Sequence, residues 1–162
     1  MKIALVRLDE RLIHGQVAVA WTRVTGADQL VVISDEAAND EMQKILLEMA
    51  VPSGTKLLIL TVEEAIDRFK EDKIPGSKVI LVFKKPEDIL KMVQEGVDMP
   101  VLNVGGMYHK PGRKQYRKAL CLSEGDIKVL KELHNSGVKL EYQVAPMNTK
   151  EDIIGIIKDA ED

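Results

Sequence analysis

The amino-acid sequence predicts a single α/β domain: a mostly parallel sheet of about seven strands with helices on both faces. Three observations predict it. Short apolar runs alternate with helical patterns from end to end. Most of those runs are rich in Val, Ile and Leu without strict alternation, as strands buried on both faces read. The length, 162 residues, suits one domain with a full core, assigned to residues 1–162.

The predicted strands are Lys2–Leu8, Leu30–Ser34, Lys56–Thr61, Lys78–Phe83, Val101–Val104, a weaker Ala119–Leu122, and Leu140–Val144. Helices fill the gaps. Val17-Ala-Val-Ala-Trp21 is an apolar helix-like run that follows the first strand. Ala38, Met42, Ile45, Leu46 and Met49 mark one face of the next helix. Thr61-Val-Glu-Glu64 reads as a capping box. Pro86 suits a first helical position ahead of Ile89, Leu90 and Val93. Ser123-Glu-Gly-Asp126 leads into Ile127, Leu130 and Leu133, with Gly137 as a stop. Thr149-Lys-Glu-Asp152 reads as the start of the last helix. The longest irregular stretch runs from about Gly105 to Lys118, long enough to be a functional loop.

Composition excludes several classes. A net charge of −3 gives no global attraction to nucleic acid or anionic lipid. A single cysteine, Cys121, rules out an internal disulfide and a cysteine-only metal cluster, and suits a reducing cytosol. No apolar run is long enough to span a bilayer. The chain opens on a strand, so no signal peptide is expected.

Asp9-Glu-Arg-Leu-Ile-His-Gly-Gln-Val17 is the most informative segment. It follows a strand and opens a helix, and open α/β sheets bind ligands past the carboxyl ends of their strands. A helix N-terminus offers unpaired N–H groups and a positive dipole end to a phosphoryl group. Arg11 adds a planar, permanently charged fork. Gly15 removes a side chain beside His14 and, with Gln16, supplies turn amides. His14 is therefore the candidate nucleophile, against the plainer reading of a histidine that caps the turn. Asp9 either orients Arg11, hydrogen-bonds the imidazole, or satisfies its own turn.

Elsewhere the alternatives stay open. Asn103-Val-Gly-Gly-Met107 either wraps a phosphate with Gly105 and Gly106 or makes a tight turn at positive φ. Asp35 and Asp40 line the site mouth or cap a helix. Lys110–Lys118 carries five cations and is either a solvated loop or a docking surface for an acidic partner. It lacks a nucleic-acid motif and aromatic interleaving. His109 sits in the longer irregular stretch from about Gly105 to Lys118, with no catalytic role assigned. No metal cluster is evident.

Arg7-Leu-Asp-Glu-Arg-Leu-Ile-His-Gly-Gln-Val17 resembles the active-site segment of IIB subunits of the bacterial sugar phosphotransferase system, mannose/fructose/sorbose family. Ser34–Asp40, Phe83–Asp88 and Leu102–Met107 fall in that family's order. Glu10 stands where many members carry a second aspartate. The resemblance implies a cytoplasmic transferase in sugar transport that needs no cofactor or metal. It implies phosphorylation of His14 at Nδ1 by a phosphohistidine on a IIA domain or subunit. It also implies transfer to a sugar moving through IIC and IID membrane subunits, which would hold the chain at the inner membrane face. Residue roles follow: Arg11 clamps the phosphate, Gly15 and Gln16 give amides, and Asp9 orients the site. Asp35, Asn103, Gly105 and Gly106 are candidate lining residues. The alternative is a non-catalytic α/β module that binds a phosphorylated metabolite or nucleotide. The identity of the sugar and the oligomeric state, a homo-oligomer included, stay open.

Overall fold

The computed structural model describes residues 1–161. The strands are β1 (Lys2–Asp9), β2 (Gln29–Ile33), β3 (Lys56–Leu60), β4 (Lys78–Phe83), β5 (Val101–Gly106), β6 (Lys114–Arg117), β7 (Leu120–Leu122), β8 (Lys139–Tyr142) and β9 (Glu151–Asp152). The helices are α1 (Gly15–Thr25), α2 (Asp35–Ala38), α3 (Glu41–Ala50), α4 (Val62–Lys70), α5 (Pro86–Gln94), α6 (Glu124–Asn135) and α7 (Ile153–Glu161).

Seven strands form one sheet in the order β3-β2-β4-β1-β5-β8-β9. All neighbours pair in parallel except β8 and β9. Side chains alternate between the two faces, as a period of two requires. Val31, Ile33, Val79, Leu81 and Phe83 enter one core with α4, α5, α6 and α7. Leu30, Val32, Ile80 and Val82 enter a second with Trp21 of α1, Ala37 of α2 and Leu47 of α3. Burial on both faces explains the near-continuous apolar strands, and helices on both faces follow from it.

Local signals perform as physics demands. Thr61 and Ser123 make reciprocal capping boxes with Glu64 and Asp126. Pro86 opens α5, where its missing N–H costs nothing. Gly137, at φ 94°, lies just past the end of α6.

Four expectations are corrected. The strand at 119–122 is not in the main sheet; β7 pairs antiparallel with β6 in a separate hairpin. The seventh sheet strand is instead β9, at the position read as a helix start. Only Asp152 keeps a capping role, its carboxylate accepting from the Gly155 amide. The irregular stretch is shorter than Gly105 to Lys118: Gly105 and Gly106 finish β5 and residues 114–117 are β6, which leaves residues 107–113 as the loop between them. The helix marked by Ala38 to Met49 is two helices, broken where Asp40 caps α3. The apolar face of α3 also points outward, with Met42, Ile45, Leu46 and Met49 exposed and only Leu47 buried.

Candidate active site

β1 occupies the middle of the sheet, between β4 and β5, and delivers its last residues to the carboxyl edge. Arg7 and Asp9, two apart, project to the α1 side. Arg7 is an arginine inside an otherwise apolar strand, and it is 4% exposed. Its Nη1 donates to Asn103 Oδ1 at 2.6 Å and to the Gln143 carbonyl at 3.2 Å. Its Nη2 donates to the Val144 carbonyl at 2.8 Å and to Asp9 Oδ2 at 3.4 Å. The guanidinium carbon lies 5.3 Å from the centroid of Trp21. Burial pulls the Arg7 pKa down, with Asp9 opposing the fall.

Room for this guanidinium comes from Gly105. Asn103, the register partner of Arg7, and Gly105 lie on the same face of β5. A Cβ at residue 105 would overlap the Arg7 guanidinium. Gly106 likewise makes space for Asp9 and Tyr108, since a Cβ there would overlap the Tyr108 hydroxyl and sit 2.8 Å from Asp9 Oδ1. Neither glycine has positive φ, so the tight-turn reading gives way to close packing in a strand.

After Asp9 the chain turns sharply. The Leu12 amide donates to the Asp9 carbonyl at 2.8 Å, and Leu12 takes a left-handed φ of 58°. That conformation is strained for a γ-branched residue, and the buried side chains of Leu12 and Ile13 hold it by packing into the second core. His14 then sits at the N-cap of α1 in extended conformation. Its side chain makes no cap hydrogen bond, so it is not the capping histidine of the plainer reading. Gly15 and Gln16 occupy the first turn, whose N–H groups face outward.

The imidazole is held from one side. Nε2 of His14 lies 2.8 Å from Asp9 Oδ2. Asp9 is 1% exposed; its Oδ1 accepts from the Arg11 amide at 2.9 Å while its Oδ2 faces His14 and Arg7. A carboxylate only accepts, so the Nε2 hydrogen is on the ring and the lone pair of neutral His14 is on Nδ1. Of the three readings of Asp9, the structure combines two: a hydrogen bond to the imidazole and a turn contact to the Arg11 amide.

Arg11 is exposed and leans on Tyr108. Its Nε and Nη2 donate to the Tyr108 hydroxyl at 3.0 and 2.6 Å, and its guanidinium carbon is 4.6 Å from the ring centroid. Tyr108 is pinned in turn. Its amide donates to Glu10 Oε1 at 2.7 Å, and its carbonyl accepts from Arg113 at 2.7 Å. Arg113 also grips both Glu10 oxygens, each at 2.8 Å, and reaches Asp126 at 3.0 Å. Burial pushes the Glu10 carboxyl up, but hydrogen bonds from Arg113, the Tyr108 amide and Lys110 outweigh it and hold the pKa low.

Much of the basic segment is therefore tied internally. Arg113 and Lys110 pair with Glu10, Arg117 pairs with Glu151, and Lys114 lies over Tyr116. A docking patch of free cations does not form from Lys110, Arg113 and Arg117. Asp35 is also occupied elsewhere: its carboxylate accepts from the Val62 amide at 2.8 Å, capping α4. Asp40 caps α3. Asn103 underlies the site through Arg7 without touching His14. Among the described residues, no set of three His, Cys, Asp or Glu side chains converges as a metal site.

Four residues around the site have no site role assigned from sequence. Arg7 carried a signal, a charge inside an apolar strand, which predicts a buried and partnered group. Tyr108 and the Glu10–Arg113 pair carried none, because their partners are about a hundred residues apart.

Over residues 3–162 the chain matches the family described as the PTS system sorbose subfamily IIB component. The chain belongs to that family. It is 37% identical to the sorbose-specific EIIB component of Klebsiella pneumoniae, covering 98% of this chain and 97% of that one. It is equally close, at 37%, to the fructose-specific EIIB component of Bacillus subtilis (strain 168), over 98% and 97%. It is 36% identical to the mannose-specific EIIAB component of Escherichia coli (strain K12), covering 97% of this chain and 49% of that one. In structure it resembles the crystallised IIBSor domain of the Klebsiella pneumoniae sorbose permease, with a TM-score of 0.90 over 98% of each chain. IIB components of this system are sugar phosphotransferase components, which disfavours the alternative of a non-catalytic binding module. Among the described residues no helix of this IIB chain is long and apolar enough to cross a membrane.

Proposed function

We propose that this IIB chain is a covalent phosphoryl relay in which His14 Nδ1 is the carrier atom. The phosphoryl group arrives from a phosphohistidine on a IIA unit and leaves to a sugar held by IIC and IID membrane subunits. The EIIAB name of the Escherichia coli relative supports a IIA unit as the neighbour in the relay. On this reading the chain works at the inner membrane face, held there by IIC and IID.

The observation that carries the reading is the contact of His14 Nε2 with Asp9 Oδ2 at 2.8 Å. It leaves Nδ1 as the nucleophilic nitrogen. In the first step the Nδ1–P bond forms and the P–N bond of the donor breaks, its electron pair staying on the donor ring. Nε2 keeps its hydrogen, so phosphorylated His14 carries ring charge that the Asp9 carboxylate balances. In the second step a sugar hydroxyl oxygen attacks phosphorus, the Nδ1–P pair returns to the ring, and the hydroxyl proton is lost to solvent. In-line transfer of this kind needs positioning and charge neutralisation above all. The α1 N-terminus with Gly15 and Gln16, and the Arg11 guanidinium, supply both.

The direct test is incubation with phosphorylated IIA, followed by mass spectrometry under non-acidic conditions. The expected result is one phosphoryl mass on the peptide carrying His14, absent in His14→Ala. Phosphate retained on another residue, or on none, overturns the reading.

A further inference from the structure

Resting on the relay reading of His14, we propose that Tyr108 is a positioning residue: its hydroxyl holds the Arg11 guanidinium ready for the phosphoryl group. Arg11 is exposed on a short turn, and a free arginine there would sample many rotamers, losing entropy on each capture of an anion. The Tyr108 hydroxyl removes that freedom. It accepts from Nε and Nη2, while the ring supports the guanidinium carbon at 4.6 Å.

A count of donors supports the assignment. A guanidinium has five N–H groups, and two are used on Tyr108, which leaves three for an incoming phosphoryl group. Both lone pairs of the hydroxyl are taken by Arg11, so its own hydrogen can only be donated outward. Among the described residues that hydrogen has no acceptor.

The surroundings point the same way. Gly106 lacks the Cβ that would overlap the hydroxyl. Glu10 takes the Tyr108 amide and Arg113 takes its carbonyl, so the backbone of Tyr108 is clamped on both sides. The Glu10–Arg113–Asp126 network, which has no place in the chemistry at His14, thereby acquires a role. It holds the platform on which Arg11 rests.

The test uses phosphoramidate as a small chemical phosphoryl donor, so that no protein docking enters the rate. Phosphorus NMR follows labelling of wild type, Tyr108→Phe, Arg11→Ala and the double variant, with circular dichroism as a folding check. Tyr108→Phe keeps the ring and removes only the hydroxyl oxygen. We expect it to lower the rate about tenfold or more at saturating donor, with little change in half-saturation. Added to Arg11→Ala it should cause no further loss, because the hydroxyl acts through Arg11. A wild-type rate in Tyr108→Phe, or a loss that multiplies in the double variant, overturns the proposal while wild-type labelling of His14 keeps the relay reading. Wild type that takes no label on His14 overturns both.

Discussion

Oδ2 of Asp9 stands 2.8 Å from Nε2 of His14, so a buried carboxylate sets which nitrogen of a part-exposed, neutral imidazole keeps its lone pair. The geometry makes Asp9→Asn informative. The asparagine side chain is nearly isosteric, but it loses the charge and can face the ring with either its oxygen or its amide. The expected outcome is a loss of about hundredfold or more in phosphoryl acceptance. Nitrogen NMR of the imidazole checks the cause: a single Nε2–H tautomer in neutral wild type, and a mixture in the variant.

Arg7→Met should unfold the site from beneath. It leaves the Gln143 and Val144 carbonyls and the Asp9 carboxylate without their cation. Removing one member of a buried ion pair costs about 3–5 kcal/mol. Denaturant unfolding measures the loss. A variant as stable as wild type would show that the Arg7 contacts contribute nothing net.

Gly105→Ala tests the same packing from the other strand. The new methyl group would overlap the Arg7 guanidinium, which is hemmed in by Asn103 and Trp21. Destabilisation of about 1–3 kcal/mol is expected from overpacking. Acceptance of phosphate should fall with it, because Asp9 moves with Arg7. The corresponding alanine at Gly112, where a Cβ meets nothing within 4 Å, strains only a positive φ of 86° and should leave acceptance untouched.

Arg113→Met should behave as a structural lesion. Arg113 is 9% exposed and ties Glu10 to Asp126. Its loss should lower stability by about 3 kcal/mol. Because the Glu10 pKa is held low in the folded state, the contribution of the pair is present above the unfolded carboxyl range and lost as pH falls through the folded value. Wild type should therefore lose stability toward acid more steeply than Arg113→Met. Urea midpoints between pH 3 and 7 make the comparison.

Asp88 has the opposite sign. Burial, with Asp35 adding to it, pushes its carboxyl up to about 6. The folded chain binds that proton more tightly than the unfolded one. Stability from this group is complete below the unfolded value of about 4 and is lost as pH rises through about 6. Asp88→Asn should remove that decline. Allowing for solvent screening of a half-buried group, the gain at pH 7 is about 1 kcal/mol. Thermal melts at pH 4 and pH 7 read it directly.

The sequence by itself determined the α/β class, the strand–helix alternation, the capping boxes at Thr61 and Ser123, and the placement of His14 at a helix start beside Asp9 and Arg11. These are local matters: hydrophobic period, cap chemistry and chain neighbours fewer than six positions apart. Tertiary structure alone decided the rest. It placed residues 119–122 in a side hairpin and Glu151–Asp152 in the sheet, because backbone pairing of such short segments depends on which edge lies within reach. It turned the apolar stripe of α3 outward, since periodicity marks a face without saying where that face points. It showed Gly105 and Gly106 to be spaces for Arg7, Asp9 and Tyr108 rather than turn residues. It brought Tyr108 to Arg11 and Arg113 to Glu10, across roughly a hundred residues of chain. Only the fold decides which distant charges meet, because a buried ion is stable only beside the partner that the packing delivers.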